Sequence, residues 1–138
     1  MERRDSTQSV LVVDDDAFMR KLLLMQLQRA GFRATAVADG AAALEAVERV
    51  CFAAVILDVE MPGTSGIEVA RRLRCHPTAS GLAIVMHTTI DEPIIRVDFT
   101  DCDAFLPKPC EAALLRRLLT EAIERRGRPA ASGLVSPS

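Results

Sequence analysis

Two short apolar runs end abruptly in aspartate, and that pattern narrows the fold of this 138-residue chain more than any other feature. Val10-Leu11-Val12-Val13 gives way to Asp14-Asp15-Asp16, and Ala53-Ala54-Val55-Ile56-Leu57 to Asp58. A continuous apolar run of this length, without polar alternation, suits a strand buried on both faces. Segments of helical spacing lie between such runs. Strands alternating with helices imply right-handed crossovers, and hence a parallel sheet covered on both sides. In a sheet of that kind the C-terminal strand ends converge on one edge, where ligands bind.

The rest of the chain extends the alternation. From Ala17 to Ala30 a helix is expected, with Phe18, Leu22 and Met25 as its apolar stripe and Gly31 just past its end. Arg33 to Ala38 reads as a second strand. After Asp39-Gly40, Ala41 to Val50 reads as an alanine-rich helix carrying Leu44 and Val47 inward. A loop over Val59-Glu60-Met61-Pro62-Gly63-Thr64 leads to Ser65 and Glu68, spaced as a capping box for a helix reaching about Cys75. His76-Pro77 stops it. Leu82 to His87 is a fourth strand and Ala104-Phe105-Leu106 a short fifth. Glu111 to Arg126 closes the pattern as an amphipathic helix, with Leu114, Leu115, Leu118, Leu119, Ala122 and Ile123 on one side.

Residues 1–8 are polar and expected to be flexible, residues 9–126 form the domain, and residues 127–138 read as a disordered tail or the stub of a linker. A 49% hydrophobic chain of this length supports one domain with a proper core. The formal net charge of −2 gives no electrostatic case for nucleic-acid binding by this domain. No apolar run approaches a membrane span, and Met1-Glu2-Arg3-Arg4-Asp5 lacks the apolar stretch of a secretory signal. Cys51, Cys75, Cys102 and Cys110 show neither a C-x-x-C pair nor zinc spacing; reduced, mostly buried thiols in a cytoplasmic protein are expected.

Carboxylates crowded at one sheet edge repel one another and raise each other's pKa unless a cation neutralises them. Mg²⁺ (or Mn²⁺) suits oxygen ligands, retains waters and works beside phosphate. The expected ligands are Asp15, Asp58 and the backbone carbonyl of Glu60, with Asp14 holding waters. Helix capping accounts for one aspartate of the first group, and Asp16 suits that role; three exceed what a cap needs. Asp58 follows its strand with no intervening turn residue, and a carboxylate so placed can accept a phosphoryl group as an acyl phosphate. Lys108, after the fifth strand, falls on the same edge as the acids. Its ammonium and the Thr88 hydroxyl are suited to the phosphoryl oxygens.

The order Asp14-Asp15, Asp58, Met61-Pro62, Thr88, Lys108-Pro109, with the run Asp58-Val59-Glu60-Met61-Pro62-Gly63, resembles the receiver domain of two-component response regulators, chemotaxis regulators included. The resemblance covers about Val10 to Arg126. It implies a flavodoxin-like, doubly wound α/β fold with five parallel strands in the order 2-1-3-4-5. By the same resemblance Asp58 is the phosphoacceptor, fed by a histidine kinase or phosphotransfer protein. Thr88 is the switch hydroxyl and Phe105 the switch aromatic, and the Lys108–Pro109 bond is cis. The output is an unknown downstream protein, a homodimer is possible, and no membrane is engaged. A module of this kind signals rather than catalyses, beyond accepting and losing its own phosphoryl group.

The chain departs from the family between Thr88 and Lys108, an interval of 20 positions that is about two shorter than the family's habit. Pro93 sits where the fourth helix should begin, and few helix formers follow, so that helix is expected to be atypical or shortened. Thr89 stands where receivers carry Ala or Gly, and Glu60 is placed either to pair with Lys108 or to influence water at Asp58. Two other functions fit parts of the sequence. One is a pseudo-receiver binding partners constitutively. The other, more remote, is a small Mg²⁺-dependent phosphatase using Asp14, since Asp14-x-Asp16 superficially matches the haloacid dehalogenase signature.

Overall fold

Five parallel strands in the order β2-β1-β3-β4-β5 form the centre of the computed structural model, which describes residues 8–61, 63, 65–79, 81–89 and 102–127. The strands are β1 (Ser9–Val13), β2 (Arg33–Val37), β3 (Ala54–Asp58), β4 (Ala83–Thr88) and β5 (Ala104–Pro107). Among the described residues four α-helices accompany them: α1 (Ala17–Arg29), α2 (Gly40–Arg49), α3 (Gly66–Cys75) and α4 (Ala112–Gly127). A 3₁₀ turn, Pro77–Ala79, follows α3. The expected architecture and strand order are both observed. The segment expected to carry an atypical helix between β4 and β5, with Pro93, lies outside the described residues apart from its last two positions. So do residues 1–7, Pro62 and residues 128–138. The last helix runs one residue past its expected end, through Gly127.

The apolar runs are buried as their composition requires. Val10 to Val13 and Ala54 to Leu57 are inaccessible, and they separate two cores on opposite faces of the sheet. One face packs Leu11, Val13, Val55, Leu57, Ile84 and Met86 beneath α2 and α3, through Ala43, Val47, Val69 and Leu73. The other packs Val10, Val12, Ile56, Val85 and Leu106 beneath α1 and α4, through Leu23, Leu27, Leu115 and Leu119. At about 25 cal/mol per Å² of apolar surface, these two layers are the main stabilising term.

Helix starts follow local chemistry. Asp16 caps α1 by accepting from the Phe18 N–H (3.0 Å). Asp39 caps α2 through the Ala42 N–H (2.8 Å), and Ser65 caps α3 through the Glu68 N–H (3.3 Å). Gly31, just past α1, has φ +97°, a backbone conformation that glycine adopts without a Cβ clash.

Two expectations need correction. The buried stripe of α1 is Leu23 and Leu27 with Met19 packed beside them, not Phe18, Leu22 and Met25. Phe18 is 72% exposed and Met25 is also exposed. Apolar residues at 22, 23 and 24 cover more than one helical face, so spacing alone cannot choose between stripes a residue apart; packing on the sheet chose 19, 23 and 27. The cysteines are not mostly buried. Cys51 and Cys75 are exposed, and Cys102 and Cys110 half-buried, all as free thiols. Cys51 and Cys75 sit at helix ends, where the chain leaves the core.

Candidate functional site

Strand register assembles the site. Val13 pairs with Leu57, Leu57 with Met86, Asp58 with His87, and Thr88 with Pro107. The strands therefore end nearly flush, and the residues at or just past those ends meet on one edge. Carboxylate oxygens of Asp14, Asp15 and Asp58 lie within 4.8 Å of one another. Asp14 and Asp58 are 1% and 2% exposed, whereas Asp15 faces solvent.

Lys108 enters this group from β5. Its Nζ donates to Asp58 Oδ1 at 2.7 Å and lies 3.8 Å from Asp14 Oδ2. The Lys108–Pro109 bond is cis, as the resemblance implied. The Lys108 N–H donates to the Thr88 carbonyl (3.2 Å), tying the two strand ends together. Asp58 Oδ1 also accepts from the Glu60 N–H (3.0 Å).

Asp14 is the strained member of the cluster. Burial pushes its carboxyl pKa up, and the neighbouring charges of Asp58 and Asp15 add to that. The Asp16 N–H bond to Oδ1 (2.9 Å) and the Lys108 charge oppose the rise. Asp14 Oδ2 is buried with no hydrogen-bond partner among the described residues. A buried carboxylate oxygen without a donor, beside two further carboxylates, is an arrangement a hard divalent cation completes. The donor set is all oxygen, which suits Mg²⁺ or Mn²⁺ rather than softer metals.

Two residues carry more of the local structure than their sequence positions suggested. His87 is buried at the end of β4, next to Asp58 on β3. Burial, reinforced by the Lys108 charge against a weaker pull from Asp58, holds its pKa down at about 4, so the imidazole is neutral at pH 7. No motif flagged it; a histidine ending an apolar strand was the available signal. Gly66 opens α3 against the end of β3. A Cβ there would sit 2.1 Å from the Asp58 carbonyl oxygen and 2.8 Å from Val59 Cα, so the approach of α3 to the Asp58 backbone needs glycine.

Thr88 is buried beside the cluster, and Phe105 is half-buried against the core face that holds Met86. Glu60, placed by its position either beside Lys108 or near Asp58, puts its carboxylate against Thr89 instead. The Thr89 hydroxyl donates to it at 3.2 Å, and the Lys108 ammonium is taken by Asp58 and Asp14. Both carboxylates are already in place at the sheet edge, whereas Glu60 stands exposed on the loop beyond it.

Comparison with known proteins agrees with this geometry. The family model of the response regulator receiver domain matches residues 10–120. The sensory transduction protein RegX3 of Mycobacterium tuberculosis H37Rv is 36% identical over 122 residues, covering 86% of this chain and 52% of that protein. The chain thus spans about half the length of the curated relative. The chemotaxis protein CheY4 of Vibrio cholerae superposes with a TM-score of 0.81 at 28% identity, over 85% of this chain and 99% of that one. The receiver domain of the sensor histidine kinase PA1611 of Pseudomonas aeruginosa PAO1, solved with a magnesium ion in its active-site cleft, gives 0.78 at 26% identity, over 86% and 99%. The fold and the acidic edge define a receiver module of two-component signalling. The chain belongs to the response regulator receiver domain family. No helix among the described residues is long and apolar enough to cross a membrane.

Proposed function

We propose that this domain accepts a phosphoryl group on Asp58 from a histidine kinase or phosphotransfer protein, and that the resulting change alters its affinity for a downstream partner. The observation that carries the reading is the Lys108 ammonium 2.7 Å from Asp58 Oδ1, within a cluster of three carboxylates. That is a charge arrangement for stabilising a phosphoryl group in transfer.

Asp58 is the acceptor. Its Oδ1 is held by Lys108 and the Glu60 N–H, leaving Oδ2 to attack phosphorus. The new Oδ2–P bond forms as the bond from phosphorus to the donor nitrogen breaks, and the donor imidazole leaves with the electron pair. Asp14, Asp15, Asp58 and the Glu60 carbonyl would hold Mg²⁺, or Mn²⁺ in its place. The cation supplies neutralisation of the phosphoryl oxygens. Lys108 neutralises a further oxygen, and the Thr88 hydroxyl donates to another.

The switch follows from packing. Once the Thr88 hydroxyl is drawn to the phosphoryl group, the space it leaves admits the half-buried Phe105 ring. Phosphorylation then shifts the balance between two arrangements of one surface. The partner that reads this surface is a downstream protein. The net charge of −2 argues against this domain binding nucleic acid itself.

Intact-mass spectrometry after incubation with acetyl phosphate, with and without Mg²⁺, tests the proposal on wild type and Asp58→Ala. A Mg²⁺-dependent gain of one phosphoryl group, lost in the variant, is the expected result. An equal gain in Asp58→Ala would overturn it.

A further inference from the structure

At the end of the sheet opposite the acidic cluster, one carboxylate collects donors from both faces. Asp103 stands immediately before β5. Its Oδ2 accepts from the Ile84 N–H of β4 (2.8 Å) and from Arg74 Nη2 of α3 (2.7 Å). Its carboxylate also receives Arg126 of α4, with Nε 3.2 Å and Nη2 3.1 Å from Oδ1. The backbone joins in: the Asp103 N–H donates to the Ile84 carbonyl (2.7 Å), and Arg125 Nη2 donates to the Asp103 carbonyl. Arg74 is fixed in turn by donating Nη1 to the Leu82 carbonyl (2.6 Å). The helices α3 and α4 lie on opposite faces of the sheet. Asp103 therefore joins β4, β5 and both helical layers at one point.

Such an anchor matters because β5 is short and lies at the edge of the sheet. It is four residues long and pairs with β4 alone. A slip of one residue would turn its inward residues outward, and a slip of two would move Lys108 by roughly 7 Å along the sheet. Either would take the Lys108 ammonium away from Asp58.

We propose that Asp103 is a positioning residue for phosphoryl transfer: by clamping the start of β5 to Ile84, Arg74 and Arg126, it sets the register that delivers Lys108 to Asp58. The link to transfer rests on the receiver function proposed above; the clamp itself does not.

Two measurements test it on the full chain. In the first, amide hydrogen exchange is followed in wild type, Asp103→Asn and Arg74→Met. Asparagine keeps an acceptor for the Ile84 N–H but loses both arginine pairs, and Arg74→Met leaves the Asp103 carboxylate and its other partners in place. Protection of the β5 amides, including Lys108 N–H, should fall at least about tenfold in Asp103→Asn and less in Arg74→Met, while β1 and β3 amides are unchanged. Equal protection of β5 in wild type and Asp103→Asn overturns the clamp.

The second is a double-mutant cycle on the acetyl phosphate reaction with Lys108→Met. Asp103→Asn should slow phosphorylation roughly tenfold in the native background and less than about twofold once Lys108 is gone. Independent, multiplying effects would show that Asp103 acts through stability rather than through Lys108, and overturn the positioning role. If wild type takes up no phosphoryl group, the receiver proposal fails, and the exchange data still decide the clamp.

Discussion

Replacing Lys108 by methionine keeps most of the side-chain volume and removes its charge, leaving the buried carboxylates of Asp58 and Asp14 to face each other. The ammonium lies 2.7 Å from one and 3.8 Å from the other. At an effective dielectric near 20, those separations correspond to gross attractions of about 6 and about 4 kcal/mol. Desolvation of the lysine offsets much of this, since its side chain is only 17% exposed. A net loss of about 3 kcal/mol in metal-free protein is expected, near the lower end of what breaking a buried pair costs. For a domain of this size that lowers Tm by roughly 10 °C. Mg²⁺ should then recover about half of the deficit, because the variant no longer sets a positive charge against the cation. About tenfold tighter Mg²⁺ binding, or about 1.4 kcal/mol, is expected. Circular dichroism melts in EDTA and in saturating MgCl₂ read both effects; the chain has neither Trp nor Tyr for fluorescence. An unchanged Tm in EDTA, or the same Mg²⁺-induced rise in both proteins, would refute the idea that Lys108 neutralises the cluster.

Three further outcomes are expected. Asp15→Asn should weaken Mg²⁺ binding about tenfold in a calorimetric titration without lowering metal-free stability, since Asp15 is exposed and adds to the repulsion on Asp14; undiminished affinity would remove Asp15 from the ligand set. Gly66→Ala should cost about 3 kcal/mol in urea unfolding, because its Cβ would meet the Asp58 backbone, which has no room to give; a wild-type midpoint would contradict that packing. His87 titrates at about 4 when folded, against 6.5 in the unfolded chain. The unfolded state thus binds the extra proton first as pH falls, and wild type should lose about 2 kcal/mol from this group between pH 7 and pH 5. His87→Leu should lack that part of the slope, and parallel pH profiles for the two proteins would count against a buried neutral imidazole.

Much of the molecule was readable from local chemistry. The capping residues Asp16 and Ser65, the glycine after α1, and the apolar runs that end in aspartate each act within a few residues of themselves. Their elements therefore stood out from the pattern alone. The phosphoacceptor candidate and its lysine were legible as residues at strand ends, but only a family resemblance supplied the strand order that brings them together.

What the amino-acid order determined by itself was which segments are strands and helices, and which polar residues fall at strand ends. Those follow from burial on both faces of an apolar run and from hydrogen bonds closed within one turn. Tertiary structure decided the rest, because those choices depend on what lies across the sheet. It selected Leu23 and Leu27 rather than Phe18 and Met25 as the buried face of α1, gave the Lys108 ammonium to Asp58 rather than Glu60, and required a glycine at position 66. It also buried His87 beside Asp58 and brought Arg74, Ile84 and Arg126 to Asp103. Each of these contacts joins residues far apart in the chain, and strand register together with helix packing, not sequence spacing, sets their separation in space.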